Sequence, residues 1–368
     1  MKHKLLRILF LIAILFATQK SQAQYVTIPD PNFVAWLTAA YPSCMSGNMM
    51  DTTCGAVVNA TIINFASYNI NDLTGIEYFD NLQILICSNC QLTNLPALPK
   101  ALNILYCEQN QLTSMPILPN TLTELRCQDN QLTNLPTLPN SLTDLWCSNN
   151  QLTSLPTLPN SLTDLWCYNN QLTSLPILPN SLVQLECYGN QLTSLPAMPN
   201  GIAYLNCGNN PLTTLPPLPS SLKQLFCFNN QLTSMPALPN LLTVLECGNN
   251  QLTSLSSLPN SLSRLSFRNN QITSMPTLPN SLVSLDCSNN QLVSLPGLPI
   301  SLNSLYCDNI QLTSLPPLPI SLTVLFCSQN QLTSLPPLPN VMGFLDCSNN
   351  LLSSLPVLPD SIFVQLRK

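Results

Sequence analysis

The sequence contains very little histidine and very little charge. Its single histidine is His3, and only 7% of the 368 residues are Asp, Glu, Lys or Arg. Beyond His3 there is no imidazole for a Ser–His or Cys–His catalytic pair, or for a His-ligated metal site. The acidic residues are scattered along the chain. We therefore expect a protein that is not an enzyme and that uses no cofactor and no metal.

The first 23 residues predict a signal peptide. Lys2, Lys4 and Arg7 precede an apolar run at 8–17, and the segment ends on a small residue, Ala23. A segment of this kind is too short to span a membrane and is removed on export. We therefore expect an exported protein, secreted or at the cell surface, with the periplasm left open, and no membrane-spanning segment.

Basic residues are few once this segment is removed. The remaining chain has seven basic and sixteen acidic residues, a net charge of −9. Nucleic-acid binding depends on a basic surface that neutralises phosphates. Nucleic acid is therefore not an expected partner.

From Leu82 to Ser361 the sequence repeats a unit of twenty residues fourteen times, without insertion or deletion. We number these units as coils 1 to 14; coil 4, LTDLWCSNNQLTSLPTLPNS, begins at Leu142. A fixed period of this length is typical of solenoids, whose stacked coils share one core. Alternation around Leu145 and Cys147 predicts a short strand in each coil. Pro156 and Pro159 predict an extended return segment.

Cysteine occupies one position of the repeat. The column contains Cys87, Cys107, Cys127, Cys147, Cys167, Cys187, Cys207, Cys227, Cys247, Cys287, Cys307, Cys327 and Cys347. Phe267 fills its one gap, so the position accepts a hydrophobe, and we predict buried, reduced thiols. Cys90, outside the column, is expected to be structural. Cys44 and Cys54 also lie outside it, and we predict a disulfide between them, because export permits oxidation.

Asparagine occupies a second fixed position of the unit, in nearly every coil. Its members include Asn110, Asn130, Asn150, Asn170 and Asn190. A buried amide must satisfy its hydrogen bonds, and neighbouring coils offer backbone groups for this purpose. We therefore interpret this asparagine ladder as scaffold.

The repeat pattern LxxLxCxxNxLTxLPxLPxS resembles the leucine-rich repeat, with Cys where Leu or Val is usual. The LPxLP return resembles the bacterial class found in YopM and IpaH-like effectors, and residues 63–83 resemble one longer, internalin-like repeat. The resemblance implies a leucine-rich repeat solenoid, a curved right-handed coil. Its concave face would carry a parallel β-sheet, and its convex face would be extended and polyproline-II-like. IpaH-like proteins also carry a separate catalytic domain, which we do not expect in a sequence that ends at Lys368.

Both ends of the repeat array are expected to differ from its middle. Residues 24–62 are predicted to form a cap with a short helix at 26–43, for which Asp30 is the N-cap. The repeats then extend over 63–361. Residues 362–368 are predicted to be degenerate, because Gln365 falls where Leu belongs in the repeat register.

The variable third, fifth and seventh positions of each coil are predicted to face outward from the sheet. In coils 4 to 8, many of these positions are occupied by aromatic or acidic residues. The candidate ligand-binding residues on the concave face are Asp144, Trp146, Asp164, Trp166, Tyr168, Glu186, Tyr188, Phe226 and Phe228. Exposed Trp and Tyr are frequent interface anchors, and the acidic residues would favour a basic partner. Simple packing of these rings across neighbouring strands is the alternative interpretation.

These observations predict a non-catalytic module that binds a protein or peptide through its concave face. Glycan binding by the aromatic residues is the alternative, since Trp and Tyr also suit sugar rings. The regular Gln151 and Thr153 columns raise a third hypothesis, an ice-binding surface. A purely structural solenoid is a fourth.

Overall fold

The computed structural model of the protein describes residues 24–359 and 362–365. The predicted signal peptide lies outside these residues, as do Leu366, Arg367 and Lys368 at the other end. The described chain divides into two compact units, one ending at Leu132 and one beginning at Thr133. None of the helices in the described part of the chain is long and apolar enough to cross a bilayer.

The first unit begins with a small cap. Its helices are Pro31–Ala40 and Gly55–Val58, with a 3-10 turn at Pro42–Cys44, and a second 3-10 turn at Ile76–Tyr78 lies in the first repeat. Its strands Tyr25–Thr27, Met45–Ser46 and Met49–Asp51 form an antiparallel sheet. The first helix begins at Pro31 because the Asp30 carboxylate accepts hydrogen bonds from the Asn32 and Phe33 amides, at 2.8 and 2.9 Å. The same carboxylate accepts a bond from the Asn71 amide at 2.7 Å, which ties the cap to the first repeat.

The cap helix is shorter than the predicted 26–43. At its start, Val26 pairs with Met50 in the antiparallel sheet, so that residue is extended rather than helical. At its end, Pro42 opens a 3-10 turn. Cys44 and Cys54 are joined by a disulfide in the structure, with their Cα atoms 5.6 Å apart.

The repeats form parallel strands of three residues each, one strand in each coil. In the first unit these are Ile62–Asn64, Ile84–Ile86, Ile104–Tyr106 and Glu124–Arg126. In the second unit they are Asp144–Trp146, Asp164–Trp166, Gln184–Glu186, Tyr204–Asn206, Gln224–Phe226, Val244–Glu246, Arg264–Ser266, Ser284–Asp286, Ser304–Tyr306, Val324–Phe326, Phe344–Asp346 and Phe363–Gln365. Residues twenty apart lie opposite each other, as Leu145 and Leu165 do. The predicted fold class, a leucine-rich repeat solenoid, is confirmed.

Leucine and cysteine build the core of each coil. In coil 4, Leu142, Leu145, Cys147 and Leu152 have no exposed surface. Burial strongly disfavours the thiolate and raises the pKa of the column thiols, to about 12 for Cys167. Several thiols donate to a carbonyl of the next coil, as Cys307 does to Phe326 at 3.3 Å.

The asparagine ladder joins neighbouring coils. Asn170 Nδ2 donates to the carbonyls of Cys147 and Cys167, both at 3.1 Å, and Asn170 Oδ1 accepts from the Leu152 amide at 3.0 Å. The same arrangement of bonds is found at Asn110, Asn130 and Asn190, and the Asn150 amide donates to carbonyls of its own coil. Each of these amides therefore lies where the predicted scaffold role requires it.

A second asparagine, immediately before the ladder residue, has a separate backbone role that the sequence analysis did not assign. Asn169 has a φ of 51°, and Asn209, Asn249 and Asn289 are similar. Asparagine adopts this left-handed region at lower cost than most residues. The recurrent Asn–Asn pair therefore combines a turn residue with a ladder residue.

The end of the second unit differs from the prediction of a degenerate segment. Phe363–Gln365 is a further parallel strand, and Val364 lies opposite Leu345. The twenty-residue spacing is lost before Gln365, but the strand pairing continues. The last interval is nineteen residues rather than twenty, so Val364 takes the position that Leu holds in other coils.

Candidate ligand-binding surface on the sheet

The outward positions of the strands form one face of the sheet in the second unit, which we call the strand face. Four of the predicted residues come together on it, and we call them the aromatic cluster: Trp146, Trp166, Tyr168 and Tyr188. The two indole rings are parallel within 1°, with centroids 4.2 Å apart. The ring centroids of the stacked Tyr168 and Tyr188 are 4.6 Å apart, and those of Trp166 and Tyr168 are 6.5 Å apart.

Stacking covers much of each ring in the cluster. All four residues are half-buried rather than exposed. The indole faces between Trp146 and Trp166 contact each other, so one face of each ring is covered. Cross-strand packing, the alternative interpretation of these residues, is therefore present in the structure.

Phe226 and Phe228 do not extend the aromatic cluster. Phe226 packs on Tyr204, with ring centroids 5.6 Å apart. The Phe228 ring lies over Gly208, where an added Cβ would be 2.9 Å from the ring. The predicted patch is therefore divided, and Tyr204 belongs to its second part. Tyr204 occupies a third position of its coil, as Asp144 and Asp164 do, but it was not among the predicted candidates.

Two of the three predicted acidic residues lie directly side by side. Asp144 and Asp164 are opposite each other on neighbouring strands. Each carboxylate accepts a hydrogen bond from the preceding threonine, Thr143 at 2.6 Å and Thr163 at 2.7 Å. Like charges in this arrangement repel each other. A cationic group of a ligand would relieve that repulsion.

Glu186, the third acidic residue, lies opposite Trp166 on the neighbouring strand. Burial raises the pKa of its carboxyl, while the nearby Tyr204 and Asn206 side chains oppose the shift. Within the described residues, neither Glu186 Oε2 nor Trp166 Nε1 has a hydrogen-bond partner, although both atoms are buried.

Ring stacking also occurs on the sheet away from the candidate residues. Tyr306, Phe326, Phe344 and Phe363 form a continuous stack with centroid distances of 5.1, 4.7 and 5.2 Å. In the first unit, the Arg126 guanidinium lies 4.3 Å above the Tyr106 ring. Stacking is thus a general property of this scaffold. What distinguishes the aromatic cluster is its two tryptophans and the acidic residues beside them.

Comparisons with known proteins agree with the architecture. A family model described as leucine-rich repeats, two copies, matches residues 220–260. A search of curated proteins finds no match.

Several solved structures are similar to this chain over most of its length. YopM from Yersinia enterocolitica is 32% identical, with a TM-score of 0.68 over 83% of this chain and 78% of that one. YopM from Yersinia pestis, described as a leucine-rich effector protein, is 36% identical, with a TM-score of 0.69 over 77% and 88%. The functional domain of InlJ from Listeria monocytogenes, described as including a cysteine ladder, is 24% identical, with a TM-score of 0.66 over 89% and 77%. This last similarity shows the fold alone.

Proposed function

This chain belongs to the bacterial leucine-rich repeat proteins, and we propose that it is an exported, non-catalytic module that binds a protein or peptide through its strand face. Leucine-rich repeat folds are typically protein-binding scaffolds. The single observation that carries the proposal is the aromatic cluster, in which two stacked tryptophans lie beside paired carboxylates.

The chemistry of the cluster favours a partner with a basic group. Asp144 and Asp164 are side by side on neighbouring strands, and no basic residue of the described chain is ion-paired to either of them. A lysine or arginine of the partner would neutralise that pair while its aliphatic stem packs on the ring edges.

A peptide fits this surface better than a glycan does. Sugar rings pack on aromatic faces, and stacking of Trp146 on Trp166, with centroids 4.2 Å apart, removes one face of each indole from that role. A peptide side chain needs only the ring edges and the neighbouring carboxylates. Glycan binding at the aromatic cluster is therefore the second candidate function.

Affinity capture with the mature chain, residues 24–368, tests the proposal. The wild type is compared with Trp146→Ala/Trp166→Ala and with Phe326→Ala/Phe344→Ala, a matched variant that removes another stacked pair, 4.7 Å apart. We expect the wild type and the matched variant to capture the same protein and the tryptophan variant to lose it. Circular dichroism must show that all three are folded. A folded tryptophan variant that captures the partner as well as the wild type does would refute the proposed site, and signals confined to a glycan array would favour the second candidate.

A further inference from the structure

The ring stacking on the strand face is interrupted in coils 9 to 11. These coils carry no aromatic residue at their third, fifth and seventh positions, where Gly248, Ser266 and Ser284 are small. The interruption leaves a hollow of about 540 Å³. It is separate from the aromatic cluster of coils 4 to 6.

An aromatic ring lies at each end of the hollow. Phe228 of coil 8 covers Gly208 with one face, and Tyr306 of coil 12 is covered on one face by Phe326. Both rings also line the hollow. Coils 8 and 12 are four strand spacings apart, about 19 Å. The hollow is therefore long enough for several linked rings.

The floor and sides of the hollow carry both donors and acceptors. Arg264 pairs with Glu246 at 2.9 Å, and the Asp286 carboxylate accepts from the Ser288 amide at 3.1 Å. Asn249, Ser266 and Ser284 add neutral polar groups. A mixed polar lining between two aromatic rings matches a ligand that has many hydroxyl groups and an apolar ring face.

Arg268 is the cation that remains available in this hollow. Its aliphatic stem lies over Gly248, where an added Cβ would be 3.0 Å from Arg268 Cγ. Among the described residues, no carboxylate lies within ion-pairing distance of its guanidinium. Arginine binds carboxylates through two parallel hydrogen bonds. The available guanidinium therefore selects an anionic group on the ligand.

We propose that this hollow binds an acidic oligosaccharide, with Arg268 holding the sugar carboxylate and Phe228 and Tyr306 contacting the sugar rings. An acidic peptide fits less well, because Glu246 and Asp286 would repel its other carboxylates. The same two residues accept hydrogen bonds from sugar hydroxyls. The site is distinct from the aromatic cluster and does not depend on the proposed protein binding there.

The test uses an array in which oligosaccharides carrying a uronate or a sialate are paired with their neutral counterparts. The acidic sugar that binds best is then titrated calorimetrically into the mature chain. We expect acidic sugars to bind and their neutral counterparts to bind at least about tenfold more weakly, as expected for loss of a charged hydrogen-bonded pair. Binding of no acidic sugar, or equal binding of both kinds, would overturn the proposal.

Three variants locate the site. Arg268→Gln should weaken sugar binding about tenfold or more. The control, Lys223→Gln, removes an exposed cation that does not line the hollow, and it should change sugar affinity less than about threefold. Ser266→Phe introduces a ring at a position that already accepts Phe226 and Phe326, so it should fold and block the hollow. Unchanged affinity in either Arg268→Gln or a folded Ser266→Phe would contradict the assignment.

Two further measurements distinguish a sugar site in this hollow from sugar binding at the aromatic cluster and from a peptide site. Trp146→Ala/Trp166→Ala should leave sugar affinity unchanged. If this variant loses sugar affinity, the sugar binds at the aromatic cluster and the proposal is wrong. A hexaglutamate peptide should bind much more weakly than the acidic sugar. If the peptide binds as tightly and with the same dependence on Arg268, the hollow is a peptide site and the proposal is wrong.

Discussion

The cysteine column predicts an unusual sensitivity to alkaline pH. In an unfolded chain a thiol has a pKa of about 8.5. In the folded protein, burial raises that pKa to about 12 for Cys167, Cys207 and Cys247. Between these values the folded state keeps protons that the unfolded state has lost, so the free energy of unfolding falls as pH rises. Below about pH 8 both states are protonated and the column has no effect.

The size of the effect follows from linkage. Raising the pH from 7.5 to 9.5 ionises each unfolded thiol and lowers the free energy of unfolding by about 1.4 kcal/mol per buried thiol. Each coil that carries a column cysteine contributes one such loss. A change on the order of 10 kcal/mol or more is therefore expected over the whole column, which approaches the entire stability of many domains.

A matched variant isolates the thiols from other titrating groups. Cys167→Val/Cys187→Val/Cys207→Val removes three adjacent thiols and keeps an apolar column. Urea unfolding of both proteins at pH 7.5, 8.5 and 9.5 should show that the variant loses about 4 kcal/mol less than the wild type over this range. Tyrosine ionisation and the Cys44–Cys54 bridge are common to both proteins and cancel. Identical pH dependence in the two, or column thiols that react readily in the native protein at pH 7.5, would refute buried, protonated cysteines.

Two further predictions concern the scaffold. In a urea titration, Asn170→Ala should lower the free energy of unfolding by about 1–3 kcal/mol, because the Leu152 amide and two carbonyls lose their hydrogen-bond partner. Asn160 is exposed, and Asn160→Ala should change the free energy of unfolding by less than about 0.5 kcal/mol in the same titration. Deleting residues 24–62 should expose apolar groups such as Phe65, whose ring centroid lies 5.7 Å from that of Phe33. Light scattering should then show aggregation. A truncated protein that is monomeric and folds cooperatively would contradict the capping role.

The repeat itself was predictable because each of its positions has one physical role. Leu145 and Cys147 are buried by alternation, Pro156 excludes a helix, and Asn170 must satisfy its amide. These requirements recur every twenty residues and reinforce one another. The period therefore predicted the strands and the solenoid class.

The ends of the array were less predictable, because they depend on contacts outside the repeat. Pairing of Val26 with Met50 shortens the cap helix, and one residue fewer before Val364 restores the strand register. The division of the candidate surface depends on small residues: Gly208 admits the Phe228 ring, and Gly248 leaves room for the Arg268 stem. The repeat register predicts which residues share the outward face of the sheet, but it does not predict how their rings stack.

The most direct test of the proposed function is the affinity of the captured partner for two variants of the mature chain, measured by calorimetry. Trp146→Ala/Trp166→Ala should weaken binding by about thirtyfold or more, since anchor residues typically cost about 2 kcal/mol on truncation. Phe326→Ala/Phe344→Ala should retain affinity within about threefold. If a folded tryptophan variant binds as tightly as the wild type, or if both variants lose affinity equally, the aromatic cluster is not the binding surface.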